Sequence, residues 1–174
     1  MTAIVIDTNV LLVAAGKSPQ MSDACQIECV TRLERVKATE QVVLDDAWII
    51  LSEYRRNFDR NRSPTYGSAF LKWLHQVQAV AKHVSLVTIT PLNSAKTLFA
   101  EFPADKELEQ KFDPADRKFV AASNAHPDKP PILQSADSKW LGWEDQLKQH
   151  GIKVEVLCRD ELKAIQKRKT KQKS

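Results

Sequence analysis

Short apolar runs alternate with longer amphipathic segments along nearly the whole chain. Residues 3–6, 41–44, 132–136 and 154–157 are rich in aliphatic side chains, which is typical of strands buried on both faces of a parallel sheet. The run 84–89 alternates in part and predicts a strand nearer an edge. Helical spacing of apolar residues predicts helices at 10–15, 22–37, 65–82, 95–102 and 139–150, with others following Asp46 and Asp113. This order predicts one three-layer α/β/α domain with a mostly parallel central sheet.

Acidic residues directly follow three of the predicted strands. Asp7 follows the first, Asp45 and Asp46 follow the second, and Asp137 follows the fourth. The carboxyl ends of parallel strands share one edge of the sheet, where ligands bind. Asp7 also precedes a helix and has the chemistry of a helix cap, so the local sequence leaves both roles open.

Two more acids lie on predicted helices near that edge. Glu53 is on an otherwise apolar helix, seven residues after Asp46. Asp116 is three residues after Asp113, and Pro114 between them suits the first position of a helix. This pattern predicts that Asp113 is a cap rather than a ligand, and it leaves the role of Asp116 open.

Carboxylates gathered at one edge repel one another, at a cost on the order of 1 kcal/mol or more per close pair, unless a cation lies among them. The chain has no Cys/His cluster of zinc-site spacing, and its Cys25, Cys29 and Cys158 are expected to be reduced core residues. Oxygen ligands alone predict Mg²⁺ or Mn²⁺. Such a site suits metal-assisted attack of water on a phosphodiester.

Four short motifs resemble, in order, the acidic motifs of PIN-domain nucleases. They are Ile-Asp-Thr-Asn at 6–9, Leu-Ser-Glu-Tyr-Arg-Arg at 51–56, Asp-Arg-Lys-Phe-Val-Ala-Ala at 116–122 and Ser-Ala-Asp-Ser at 135–138. The resemblance spans about residues 3–157 and implies a Mg²⁺- or Mn²⁺-dependent endoribonuclease. It implies a catalytic and metal-binding tetrad, with orienting groups beside it, whereas Asp45, Asp46 and Asp113 match no tetrad position. The implied tetrad is Asp7, Glu53, Asp116 and Asp137, and the implied orienting groups are Thr8, Asn9 and Ser135.

Our mechanistic hypothesis gives the four acids of the tetrad different roles. Asp7, Asp116 and Asp137 are expected to hold the principal ion, and Glu53 to bind a second ion or to position the attacking water. The expected products carry a 5′-phosphate and a 3′-hydroxyl.

Positive charge is concentrated at the C-terminus. The whole chain carries 26 basic and 22 acidic residues, a net charge of +4, but residues 163–174 hold six basic residues and no acidic one. Residues 1–162 therefore have 20 basic against 22 acidic side chains and are predicted to form the single domain, followed by a basic tail. The tail is either a solvated end or an arm for RNA phosphates, and the arginines after Glu53 have the same two interpretations. The predicted RNA-binding residues are Arg55, Arg56, Arg60, Lys167, Arg168 and Lys169.

The chain has no apolar run of about eighteen residues, the length that spans a membrane, and no signal-peptide pattern, so a cytoplasmic protein is expected. The resemblance extends to the toxins of bacterial toxin–antitoxin pairs, which adds a protein antitoxin and a homodimer to RNA as candidate partners. The extra length between Glu53 and Asp116 departs from the compact toxins. A non-catalytic RNA-binding or scaffold protein with the same fold is the alternative. An aspartyl phosphatase is disfavoured, because Asn9 stands where that chemistry needs a second acid.

Overall fold

The computed structural model describes residues 1–58 and 63–173, which form eight α-helices and a five-stranded sheet. Every neighbouring pair of strands is parallel, so the predicted three-layer α/β/α fold is confirmed. The strands are β1 (Thr2–Ile6), β2 (Glu40–Asp45), β3 (Val84–Val87), β4 (Ile132–Gln134) and β5 (Val154–Val156). The helices are α1 (Thr8–Ala14), α2 (Asp23–Thr39), α3 (Ile49–Phe58), α4 (Tyr66–Val77), α5 (Lys106–Lys111), α6 (Arg117–Ala125), α7 (Lys139–Gln149) and α8 (Arg159–Gln172), with a 3-10 turn at Pro114–Asp116.

Strand β1 lies at the centre of the sheet, whose order is β3-β2-β1-β4-β5. The chain moves outward from β1 to β2 and to the edge strand β3, and then crosses back to β4 and β5 on the other side. Because parallel crossovers are right-handed, this reversal puts α1 to α4 on one face and α5 to α7 on the other. Helix α6 accordingly packs on β1, β2 and β4. The reversal leaves a crevice at the carboxyl ends of β1 and β4, where doubly wound sheets bind ligands.

The segment between β3 and α6 differs from its prediction. Residues 91–99 form a loop closed by an antiparallel bridge between Pro91 and Phe99, not part of a helix at 95–102. The side-chain oxygen of Asn93 accepts hydrogen bonds from the amides of Thr97 (2.9 Å) and Leu98 (3.1 Å). Since a local side chain takes up these amides, they are not available to a helix. Helix α5 lies further on, at Lys106–Lys111, where the Asp105 side chain caps it.

Helix α8 contains the basic C-terminal segment and is helical through Gln172. A disulfide joins Cys158, the residue before this helix, to Cys25 of α2, while Cys29 is a free, buried thiol. The prediction of three reduced cysteines is therefore wrong for the Cys25–Cys158 pair. The disulfide attaches the start of α8 to the helical layer of α2. Within the described part of the chain, no helix has the length and apolar character needed to cross a membrane.

Asp45 begins α3 and has a structural role. It is fully buried, and its two carboxylate oxygens accept hydrogen bonds from the amides of Ile49 (2.9 Å) and Ile50 (2.8 Å). These amides have no partner within the helix, because the first amides of an α-helix lack an acceptor one turn earlier. Asp46 is exposed instead, and its side chain accepts a hydrogen bond from the Thr88 hydroxyl at 2.6 Å.

Replacing Asp45 with Ala should lower the free energy of unfolding by about 2 kcal/mol, because the cap is lost and two buried amides lose their acceptor. Asp46→Ala is the matched control, and it should change that free energy by less than about 1 kcal/mol. Urea unfolding of both variants measures the difference. Equal effects would contradict the role assigned to Asp45.

Candidate metal centre

Asp7 lies in the crevice, one residue beyond β1. Its amide donates to the carbonyl of Leu133 in β4 at 2.9 Å, which ties the ends of the two strands together. Its Oδ1 atom accepts from the Asn9 amide at 3.0 Å and caps α1. Its Oδ2 atom is buried and has no hydrogen-bond partner among the described residues. Asp7 is therefore a helix cap through one oxygen and leaves the other oxygen for a ligand.

Three further aspartates meet at the same edge of the sheet. Asp113, Asp116 and Asp137 each offer a carboxylate oxygen, and these oxygens lie within 4.8 Å of one another. The charges of Asp116, Glu53 and Asp137 all raise the pKa of Asp7. Asp7 is therefore close enough to the other three acids of the predicted tetrad to feel their charge, while the three aspartates whose oxygens lie within 4.8 Å of one another include Asp113 but not Asp7 or Glu53.

The pKa values of these acids are raised by burial and by the charges of their neighbours. Burial raises the pKa of Asp7 well above its ordinary value, and the charge of Asp116 raises it further. Burial also raises the pKa of Asp116 to about 7, with contributions from the charges of Asp137 and Asp113. A bound cation would offset both effects, since it stabilises the ionised form of every carboxylate around it.

A tight turn after β4 places Asp137. Ala136, the residue before it, has a φ of 70°, in the left-handed region that residues with a Cβ rarely adopt. The Gln134 side chain donates to the Asp137 carbonyl, and the Asp137 carboxylate accepts from the Lys139 amide at 3.0 Å. These bonds hold the turn in the conformation that aims Asp137 at the crevice.

Asp113 differs from its prediction as a side-chain cap. It occupies the residue before the 3-10 turn, and its backbone carbonyl accepts from the Asp116 amide at 3.0 Å, but its side chain makes no capping bond. The carboxylate lies 2.7 Å from the Lys139 ammonium instead. The predicted cap is therefore present in the backbone only, and the side chain belongs to the acidic cluster.

Glu53 differs from the other acids because both of its oxygens have partners. One lies 2.7 Å from the Nζ atom of Lys118, and the other accepts a hydrogen bond from the Thr8 hydroxyl. Lys118 is buried and also donates to the carbonyl of Ala115. The hydroxyl of Tyr54 donates to the carbonyl of Ile6, which ties α3 to the end of β1.

Sequence reasoning missed Lys118, although the sequence contains a signal for it. Lys118 is four residues before Ala122, on the face of α6 that packs into the core. A lysine on a buried helix face needs an anionic partner. Glu53, an acid on the apolar face of α3, has the same requirement, so each of the two residues points to the other.

The predicted orienting groups have different surroundings. Thr8 holds Glu53, and Asn9 holds Asp7 through its backbone amide. Ser135 is buried with its hydroxyl 3.6 Å from the Cys25 sulfur, and in the described part of the chain it makes no hydrogen bond to an acid of the cluster. Ser135 therefore packs against the disulfide of Cys25 and Cys158 rather than against the acids of the site.

Five of the six predicted RNA-binding residues lie on helices α3 and α8. Arg55 and Arg56 are exposed near the end of α3, and Arg60 lies outside the described residues. Lys167, Arg168 and Lys169 are exposed on α8. The Lys169 ammonium is 3.4 Å from the hydroxyl of Ser138, the residue after Asp137, so α8 brings positive charge to the border of the cluster.

Comparisons of the chain with protein-family models, with curated proteins and with solved structures found no match. The donors of the site are carboxylate oxygens, which are the ligands that Mg²⁺ and Mn²⁺ prefer. Among the residues that the structure describes, Asp7 Oδ2 is buried without a hydrogen-bond partner. The chemistry of these donors fits a hard divalent cation, and the three aspartates whose oxygens lie within 4.8 Å of one another are Asp113, Asp116 and Asp137.

Without divalent metal, the free energy of unfolding should fall as the pH rises from about 4 to 7. Asp116 keeps its proton in the folded chain up to about pH 7, whereas the unfolded chain releases it near its ordinary pKa of 3.8. Asp116→Asn should reduce this fall by about 1 kcal/mol or more. Urea unfolding in EDTA across this pH range tests it, with Asp145→Asn, an exposed position on α7, as the control. An unchanged pH profile in Asp116→Asn would contradict the crowding of these carboxylates.

Proposed function

We propose that this protein is a Mg²⁺- or Mn²⁺-dependent endoribonuclease of the PIN-like class. One observation carries the proposal: the buried, unpartnered oxygen of Asp7 lies among carboxylates at the switch point of a parallel sheet. The order of the four acidic motifs, which resemble those of PIN-domain nucleases, supports the same assignment. RNA is the proposed substrate because basic side chains of α3 and α8 border an acidic centre that would otherwise repel a polyanion.

Asp7, Asp116 and Asp137 hold the ion in this proposal. When bound, the ion lowers the pKa of a water molecule and stabilises charge on the phosphoryl oxygens. The surroundings of Glu53 favour one ion over two, because Lys118 and Thr8 already occupy both of its oxygens.

Glu53 and Lys118 act as a fixed pair in the proposed reaction. The two contacts of Glu53 leave its carboxylate little freedom to rotate, so it can orient the attacking water by accepting a hydrogen bond from it. Lys118 supplies a buried positive charge near the phosphate, where low dielectric strengthens its effect. In-line attack would leave a 5′-phosphate and a 3′-hydroxyl.

The biological setting stays a prediction. A cytoplasmic location, a protein antitoxin and a homodimer follow from the resemblance and from composition alone. The extra segment between Glu53 and Asp116, which contains the 91–99 loop and α5, is where the chain departs from the compact toxins.

Asp7→Asn should lower Mn²⁺-dependent cleavage of RNA by at least about 100-fold, because the buried oxygen that holds the ion is lost. Pure wild type and variant are incubated with total cellular RNA and Mn²⁺, and the new 5′ ends are mapped by sequencing. Asp46→Asn is the control, since Asp46 is an exposed acid outside the cluster. Circular dichroism establishes that both variants fold. Cleavage by Asp7→Asn at the wild-type rate would remove Asp7 from the mechanism, and no cleavage by the wild type would favour the non-catalytic alternative.

A further inference from the structure

A pocket of about 270 Å³ opens beside Glu53, between α3 and the 91–99 loop. Glu53 and Lys118 line its inner end, Arg56 lines it from α3, and Lys96 and Thr97 line it from the loop. Ligand pockets in proteins measure roughly 300–1,000 Å³, so this one is slightly smaller than the lower limit of that range. It adjoins the proposed reaction centre and has room for a ligand of about nucleotide size.

Two positive charges on different walls of this pocket lack a compensating acid. Arg56 and Lys96 are both exposed, and neither forms an ion pair with a residue that the structure describes. Lys118, in contrast, is paired with Glu53 at 2.7 Å. The uncompensated charge of the pocket is therefore positive, unlike the acidic cluster beside it.

Hydrogen bonds within the 91–99 loop fix the backbone around Lys96. Lys96 has a φ of 55°, in the left-handed region, and its amide donates to the Asn93 carbonyl at 3.2 Å. The Asn93 side chain accepts from the amides of Thr97 and Leu98. The loop therefore holds Lys96 in a strained backbone conformation at the pocket, a feature that is typical of functional positions.

Arg117 fixes this loop relative to the acidic cluster. Its guanidinium donates to the Thr97 carbonyl at 3.2 Å and to the Glu109 carbonyl at 2.6 Å. Arg117 is the neighbour of Asp116 in the chain, so the loop and the cluster share one anchor. The distance between the pocket and the proposed ion site is thereby set by the fold.

We propose that this pocket is a subsite for single-stranded RNA, which binds the nucleotide next to the cleaved bond. Arg56 and Lys96 contact the phosphate of that nucleotide from two sides, and the Glu53–Lys118 pair forms the wall towards the reaction centre. A pocket of about 270 Å³ has room for about one nucleotide, which a single strand can place there without breaking base pairs. The inference rests on the proposed nuclease function and assigns a purpose to the extra segment between Glu53 and Asp116.

Arg56→Gln and Lys96→Gln should each weaken binding of a fluorescein-labelled single-stranded RNA by about 3- to 10-fold. Affinity is measured by fluorescence anisotropy in EDTA, where cleavage does not occur, at several salt concentrations. Each variant should reduce the slope of log affinity against log salt by about 0.7, the value for one phosphate contact on a single strand. Lys82→Gln is the matched control. Lys82 is exposed just before β3, at the amino ends of the strands, whereas the acidic cluster lies at their carboxyl ends. Lys96→Arg should retain the wild-type slope.

The outcomes separate the pocket from the nuclease function. Slopes and affinities of Arg56→Gln and Lys96→Gln equal to those of Lys82→Gln would overturn the subsite, as would a wild type that does not bind the RNA. Cleavage of the same RNA by wild type in Mn²⁺ is measured in parallel. Cleavage combined with unchanged binding in the variants would overturn the subsite alone, whereas a wild type that binds RNA through these residues without cleaving it would contradict the proposed nuclease.

Discussion

Carboxylates are both buried and crowded together at the carboxyl ends of β1 and β4, and the other features of the site follow from the cost of ionising them there. Burial and neighbouring charges raise the pKa of Asp7 well above its usual range and that of Asp116 to about 7. Ionising these groups at neutral pH costs free energy, and the packing of the core must offset that cost. The central strand supplies such packing, since Ile4, Val5 and Ile6 are at most 1% exposed.

Lysine side chains compensate part of the negative charge of these carboxylates. Lys118 neutralises Glu53 from within the core, and Lys139 neutralises Asp113 at the surface. Asp7 keeps one oxygen without a partner among the described residues. Positive charge is thus provided around the centre, and in our proposal a cation occupies the centre itself. This distribution distinguishes the proposed ion-binding acids from Asp45, whose two oxygens are both used to cap α3.

The sheet and most of the site follow from local features of the sequence. Apolar runs predict buried strands, and acids directly after those runs must share an edge once the strands are parallel. The face of α2 was harder to predict. Apolar residues recur every third position from Ala24 to Val36, yet Ile27 is 67% exposed while Cys25 and Cys29 are buried. The buried residues Cys25, Cys29, Leu33 and Val36 follow the helical period of 3.6 residues, whereas Ile27, two residues from Cys25, lies on nearly the opposite side of the helix.

Other parts of the site depend on contacts between residues that are distant in the sequence. The partnership of Glu53 with Lys118 spans 65 residues, and the disulfide between Cys25 and Cys158 spans 133. Local spacing does not specify such pairs. The 91–99 loop differs from the helix predicted from apolar spacing for a different reason. The side-chain oxygen of Asn93 accepts hydrogen bonds from nearby amides, and this interaction competes with a helix.

Calorimetric titration with Mn²⁺ measures directly whether these carboxylates bind a cation. One ion per chain should bind to the wild type, and binding should be at least about 10-fold weaker after Asp116→Asn, which removes a charged ligand. Asp145→Asn, distant from the cluster, should bind as the wild type does. A wild type that binds no Mn²⁺, or equal binding in the Asp116 variant, would show that these carboxylates do not form the proposed cation site.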